Sequence, residues 1–254
     1  MASKRSFNLS WSDFKKMKLS VILPTYNERE NIERMISSLT SVFQKNKINS
    51  FIVVVDDNSP DGTGKLVDEL KKKNKIVHII HRVKKEGLGK AYISGMKYSL
   101  NDLNADLIMT MDCDFSHDPN LIPNFIKKIN EGYDLVLGSR YISGGGVHNW
   151  PIYRRIISLG GNFLPRLILG LKSHDNTTGF RCYKKKVLES INLDSIKSNG
   201  YSFLVEISYL IQKKGFKIGE TPIIFKDREF GETKISKKEI FRTLKTLFRL
   251  RFKN

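Results

Sequence analysis

Cysteine is scarce in this chain of 254 residues: Cys113 and Cys182 are the only two. That is too few for a disulfide framework or a cysteine zinc cluster, and it fits a reducing compartment. Long apolar runs are also missing. The best stretches, "FLPRLILGL" and "YSFLVEISYLI", are short and are broken by Arg166 and Glu206. Neither approaches the roughly 18–20 residues that a spanning helix needs. The opening "MASKRSFNLSWSDFKKMK" has no apolar core of signal-peptide length, so secretion is not expected. No GxGxxG follows the first strand, "GTGK" and "GLGK" miss the Walker A spacing, and there is no GxSxG elbow. Dinucleotide binding, a P-loop and serine hydrolase chemistry are therefore all disfavoured. His78 and His81 are three apart in one strand, which turns them to opposite faces and leaves them unsuited to a shared metal.

Acidic residues run short as well, and unevenly. Residues 1–140 carry 22 Lys+Arg against 17 Asp+Glu, whereas residues 141–254 carry 22 against 9, within a net charge of +18. A basic second half points to phosphate, nucleic acid or an anionic membrane as partner. Nucleic acid is the poorest fit, because it calls for basic residues interleaved with exposed aromatics. The aromatics here lie mostly in apolar periodic segments.

Against these absences stands a regular alternation over the first 140 residues. "LSVILP", "FIVVV", "VHIIH", "DLIMTM" and "YDLVLGSR" read as strands. Between them lie helices: one with Ile32, Met35, Ile36, Leu39, Val42 and Phe43 on one face, one near 63–73, one at "LGKAYISGMKYSL" and one at 120–130. Asn27 with Glu30 resembles a start signal for the first of them. Strands joined by helices predict an α/β fold with a mostly parallel central sheet and helices on both faces. The second half is less regular. "YISGGGVHNWP" is a glycine-rich loop, and "IYRRIISLGGNFLPRLILGL" is a helical stretch interrupted by glycines and Pro165. "NTTGFRCYKK" turns into a short strand, "SFLVEISYLIQKKG" is a helix, "FKIGETPIIF" a strand and "EIFRTLKTLFRLRF" a final helix. The expected organisation is an N-terminal extension over 1–18, one domain over 19–236 and a basic amphipathic helix over 237–254.

In such sheets ligands bind beyond the carboxyl ends of the strands. Tyr26, Asn27 and Glu28 follow the first strand, Asp56 and Asp57 the second, Asp112 and Asp114 the fourth, and Arg140 the fifth. Four polar clusters on one edge predict a site. Within it, the D-x-D of "MDCDFSHDP" sets two carboxylates close together, with the Ser116 hydroxyl behind. That is a hard oxygen set suited to Mg²⁺ or Mn²⁺, which commonly completes its shell with substrate phosphate and water. The expectation is a diphosphate-bearing substrate.

Taken together, "LSVILPTYNERENI", "VVVDDNSPDGT", "GLGKAYISGM", "MDCDFSHDP", "GSRYISGGGVHNW", "RRIIS", "TGFRCY" and "DREFGETK" resemble, in order, the motifs of the dolichol-phosphate mannosyltransferases. These are family-2, inverting glycosyltransferases of the GT-A (Rossmann-like) fold. The likeness runs from about residue 19 to 240. It implies that Pro24, Tyr26, Glu28, Val55 and Asp57 hold a guanine nucleotide, and that Asp112, Cys113 and Asp114 contact the donor. It places the metal on Asp112, Asp114 and Ser116, with Asp114 and Ser116 nearest. Arg140, Arg228 and Lys234 would surround the phosphates, and Arg140, Arg154 and Ser158 would meet the acceptor phosphate. The chain departs from the pattern at Cys113, where many relatives have alanine, and at Ser116, where some have glutamine. A hydroxyl reaches less far than an amide, so water would complete the metal shell.

What the resemblance implies is mannose transfer from GDP-mannose to dolichyl phosphate with inversion. Asp112, Asp114 and Arg140 would form the catalytic group, and the product would feed glycoprotein and GPI-anchor glycans. The nearest alternative is a dolichyl-phosphate glucosyltransferase using UDP-glucose. An acceptor phosphate monoester, with a second pKa of about 6, is already nucleophilic at neutral pH and needs no general base. Asp175 is accordingly read as shaping the acceptor loop. The ending "RLRFKN" resembles the soluble catalytic subunit of the multi-subunit class. This implies a peripheral enzyme on the cytosolic face of the endoplasmic reticulum, tethered by small membrane proteins. In the final helix Ile240, Phe241, Leu244, Leu247 and Phe248 line one face, and Lys238, Arg242, Lys245 and Arg249 another, which fits either a helix on anionic lipid or one packed on the sheet.

Overall fold

The computed structural model describes residues 17–226 and 237–252, with the backbone alone for 237–240. Seven strands form one sheet in the order β3-β2-β1-β4-β7-β5-β8. They are β1 (Leu19–Thr25), β2 (Ser50–Asp56), β3 (Val77–His81), β4 (Leu107–Thr110), β5 (Leu135–Ser139), β7 (Arg181–Lys184) and β8 (Ile218–Pro222). All neighbours run parallel except at β7, which lies antiparallel between β4 and β5. A short parallel pair, β6 (Gly146–Val147) and β9 (Ile224–Phe225), stands apart from the main sheet.

The helices are α1 (Arg29–Asn46), α2 (Thr63–Lys73), α3 (Leu88–Asn101), α4 (Ile122–Asn130), α5 (Ile152–Leu169), α6 (Lys185–Glu189), α7 (Tyr201–Lys213) and α8 (Lys237–Phe252). Strand alternation decides which helix meets which face. Val21, Leu23, Ile52, Val54, Leu107 and Met109 pack under α1, α2 and α4. Ile22, Val53, Val55, Ile108, Leu135 and Leu137 pack on the opposite face under α3, α6 and α7. Both faces are covered, which is why these strands read as unbroken apolar runs. Helix α3 lies so close to β1 that a Cβ on Gly95 would come 2.5 Å from the Ile22 Cγ2.

Three sequence expectations change. Asn27 does not cap α1: it takes a left-handed backbone (φ 60°) and its N–H donates to the Ser59 hydroxyl. Glu28 occupies the cap position instead, with its own N–H held by the Thr63 hydroxyl. The stretch after Pro151 is not interrupted: α5 runs unbroken for 18 residues through Gly160, Gly161 and Pro165. Proline costs this helix one N–H donor, and one turn before it Asn162 adds a side-chain bond to the Ser158 carbonyl. Finally, the apolar face assigned to the last helix divides. Leu247 and Leu250 are buried with Leu169, Leu171 and Val205, while Phe241, Phe248 and Phe252 are exposed. Packing on α5 and α7 takes only one stripe of α8, and 100° per residue carries the phenylalanines off it.

Candidate active site

Strand order reverses direction between β1 and β4, and in open α/β sheets the carboxyl ends at such a reversal are where ligands bind. The predicted residues that follow β1, β2 and β4 lie at these strand ends. Tyr26, just past β1, is part-exposed, with the Lys85 ammonium 3.6 Å above its ring. Pro24 and Val55 are register partners across β1 and β2. The Glu28 carboxylate accepts from the Asn31 amide at 2.8 Å. Asp56 and Asp57 play different parts. Asp56 is buried and accepts from Thr25 and Ser59, tying off its own turn. Asp57 accepts from Arg82 Nη1 at 2.6 Å, and Arg82 Nη2 also reaches Glu86. Burial, with the neighbouring Asp56 charge, raises the Asp57 pKa against the opposing pull of Arg82 and Lys85. Arg82 and Lys85 come from the loop after β3, and no spacing in the sequence linked them to Asp57 or Tyr26.

The D-x-D turn leaves β4 and folds back on itself. Asp114 is buried, and its Oδ1 accepts the Ser116 N–H at 3.0 Å. Phe115 between them takes φ 60°, the left-handed conformation that the turn requires. Asp112 is more open, and its Oδ1 accepts from the Tyr92 hydroxyl at 3.3 Å. Tyr92 is wholly buried; burial, then the nearby Asp112 charge, raises its pKa, so it remains a donor. Cys113 is buried and its thiol pushed well up by burial, which keeps the thiol protonated. The Asp112 main-chain N–H donates to His117 Nδ1 at 3.0 Å. A ring nitrogen that accepts cannot carry a proton, so the nearby Asp112 carboxylate, 3.8 Å away, is not an ion-pair partner of His117. Burial lowers the His117 pKa, in agreement with a neutral ring.

Among the described residues no group of three or more His, Cys, Asp or Glu could hold a metal. The oxygen set at this turn is two carboxylates and the Ser116 hydroxyl, whose Oγ is buried without a partner among the described residues. Such a set fits a hard divalent cation that takes its remaining ligands from substrate phosphate and water.

Beyond β5 the arrangement departs from four separate strand ends. Arg140 is buried in a bidentate pair with Asp175, Nε at 2.6 Å and Nη2 at 2.7 Å, and the Arg140 N–H donates to the same carboxylate. Burial would raise the Asp175 pKa, but the Arg140 charge and these hydrogen bonds outweigh it and hold it low. The Arg140 guanidinium also lies 5.3–5.6 Å from the Tyr141, Trp150 and Phe225 rings. Asp175 thus fixes Arg140 in place. Arg154 stacks at 4.0 Å over Trp150, and Ser158 accepts from the Tyr141 hydroxyl at 2.6 Å. Arg154, Ser158 and Asn162, four residues apart on α5, turn inward, whereas Ile152, Ile156, Leu159, Phe163 and Leu167 turn out to solvent. Arg228 and Lys234 lie outside the described residues.

Residues 20–191 match the family described as glycosyl transferase family 2. The chain is 40% identical to an undecaprenyl-phosphate mannosyltransferase of Micrococcus luteus, over 87% of this chain and 88% of that one. It is 41% identical to a polyprenol monophosphomannose synthase of Mycolicibacterium smegmatis, over 85% and 80%. With a dolichol-phosphate mannosyltransferase of Pyrococcus furiosus it is 42% identical, over 92% of this chain and 64% of that one. Among solved structures, a glucosyl-3-phosphoglycerate synthase from Mycobacterium tuberculosis, crystallised with Mn²⁺ and UDP, superposes with a TM-score of 0.67. It covers 96% of this chain and 84% of that one at 16% identity, a likeness of fold.

Proposed function

The chain belongs to glycosyl transferase family 2, and from that premise we propose that it transfers mannose from GDP-mannose to a polyprenyl phosphate of the dolichol type, with inversion. The observation that carries this reading is the inverted character of α5. A helix on a water-soluble domain normally buries its apolar stripe. This one turns Arg154 and Ser158 toward the site and leaves Ile152, Phe163 and Leu167 at 76%, 60% and 68% exposure. A headgroup site and a lipid-facing surface stand back to back on one element, which suits an acceptor whose phosphate sits at the edge of a bilayer.

Tyr26, Glu28, Val55 and Asp57, with Pro24 beneath them, are assigned to the nucleotide, and Asp112, Cys113 and Asp114 to the diphosphate and sugar. Asp112, Asp114 and Ser116 would hold the Mg²⁺ or Mn²⁺ ion, which neutralises charge on the departing diphosphate. Arg228 and Lys234 are assigned to the same diphosphate. On the acceptor side, Arg154 and the Asp175-anchored Arg140 offset the repulsion between the incoming phosphate and the donor. The acceptor oxygen attacks the anomeric carbon as the bond to GDP breaks, and no proton needs to be removed from the nucleophile. Catalysis therefore rests on positioning and preorganised charge. Asp175, spent on Arg140, is not available as a base.

No helix among the described residues is long and apolar enough to cross a membrane. We assign α5 and α8 to the surface of an anionic bilayer: Phe241, Phe248 and Phe252 of α8 are exposed, as are the apolar side chains of α5 named above, and Lys245 and Arg251 are exposed on α8 as well. The proposed setting is the cytosolic face of the endoplasmic reticulum, with small membrane subunits as tethers and glycoprotein and GPI-anchor glycans as destinations. Purified protein given radiolabelled GDP-mannose and dolichyl phosphate with Mn²⁺ should yield a labelled lipid. Transfer from UDP-glucose instead would overturn the donor assignment.

A further inference from the structure

His117 has no part in the chemistry just described, yet it is 1% exposed at the centre of the site. Its ring stacks on Phe180 at 5.1 Å, and Phe180 in turn packs on Phe125 of α4 at 4.3 Å. On its other side His117 meets Phe225 of β9, ring to edge, at 5.6 Å. Phe225 then meets Trp150 at 5.4 Å, and Trp150 carries Arg154 at 4.0 Å. One column of packed rings therefore runs from the core to the acceptor-side arginine, with Phe225 also against Arg140. His117 ties that column to the D-x-D, its Nδ1 accepting from the Asp112 N–H.

Two further features show how closely this junction is set. With Nδ1 accepting, the proton is on Nε2, and that N–H is buried with no partner among the described residues. A phenylalanine would stack equally well without leaving a donor unpaired, so packing alone does not account for a histidine here. Gly179 abuts the same cluster: a Cβ there would lie 2.9 Å from the Tyr92 hydroxyl, 3.3 Å from Asp112 Oδ1 and 3.6 Å from His117 Cε1.

We propose that His117 is a positioning residue: it fixes the main chain of the D-x-D turn through Asp112 and, through Phe225, holds that turn in register with Trp150, Arg154 and Arg140. The proposal rests on the transferase reading above. It reaches the donor and acceptor sides through different contacts, so the two can be separated by mutation.

The test compares His117→Phe, His117→Asn and Phe225→Leu. His117→Phe keeps a ring in the column and removes the acceptor. We expect faster amide hydrogen exchange at Asp112, Mn²⁺–GDP affinity weaker by about 10- to 100-fold, as for other groups that orient metal ligands, and an unchanged Tm. His117→Asn offers an amide oxygen near the Nδ1 position and should recover part of both readouts. Phe225→Leu should leave Asp112 exchange and Mn²⁺–GDP affinity as in wild type and raise the KM for the acceptor phosphate. Wild-type exchange and affinity in His117→Phe would overturn the proposal. So would losses in both His117 variants that merely track a fall in Tm. Exchange and Mn²⁺–GDP binding involve neither sugar nor acceptor, so failure of the mannosyl assignment would leave these results standing.

Discussion

At the scale of single residues, the site divides into groups offered to ligands and groups that hold them. Asp114 belongs to the first kind, and Asp114→Ala should remove metal-dependent transfer, lowering kcat at least about 100-fold with little change in fold. Full activity in that variant, assayed with and without Mn²⁺, would take the D-x-D out of the mechanism. Asp175 belongs to the second. Asp175→Asn leaves the Arg140 guanidinium buried beside a neutral partner, which should cost about 3–5 kcal/mol in denaturant unfolding. The sign with pH follows from its depressed pKa. The pair contributes fully above the ordinary aspartate value of about 4 and is lost as pH falls through the lower folded value. Asp175→Asn should therefore flatten the acid limb of the stability profile. Asp112 and Asp114 were legible in the sequence because a two-residue spacing at a strand end is local information. The partners Arg140–Asp175, Arg82–Asp57 and Tyr92–Asp112 are 35, 25 and 20 residues apart. Only the folded sheet brings them together.

Among elements, helices α5 and α8 carry the clearest predictions. Leu247 is fully buried between α8 and its neighbours, so Leu247→Ala should cost about 2–5 kcal/mol through lost burial and the cavity left. Phe163→Asp and Phe248→Asp act on the other side of the same pair of helices. Both side chains are exposed, so Tm should stay within a degree or two, while flotation with vesicles containing anionic lipid falls severalfold. Unchanged flotation in the double variant would remove this face from the membrane. The periodicity of α1 to α4 was readable because each has a sheet to bury against. In α5 and α8 it was not, since apolar residues serve two surfaces at once and a single stripe cannot be drawn. The antiparallel β7 was also hidden: a four-residue strand carries no mark of direction, and its place between β4 and β5 is set by pairing across the sheet.

Over the whole molecule, the uneven charge acquires a location. The basic half contains α5 with Arg154, and α8, while Arg140 and the acid-bearing strand ends lie in the first half. In the proposed reading, a cation-rich side would face the lipid phosphate and the carboxylate turn a metal-bound diphosphate, the two electrostatic characters that a transfer between two anions requires. The alternating strand–helix order made this half of the fold predictable, and the switch point between β1 and β4 located the site. The most direct measurement is transfer by the purified chain from radiolabelled GDP-mannose to dolichyl phosphate in anionic vesicles, with Mn²⁺ and with EDTA. The account predicts labelled mannosyl lipid with Mn²⁺ and its loss with EDTA. No labelled lipid with Mn²⁺, or labelled lipid formed only from UDP-glucose, would contradict it.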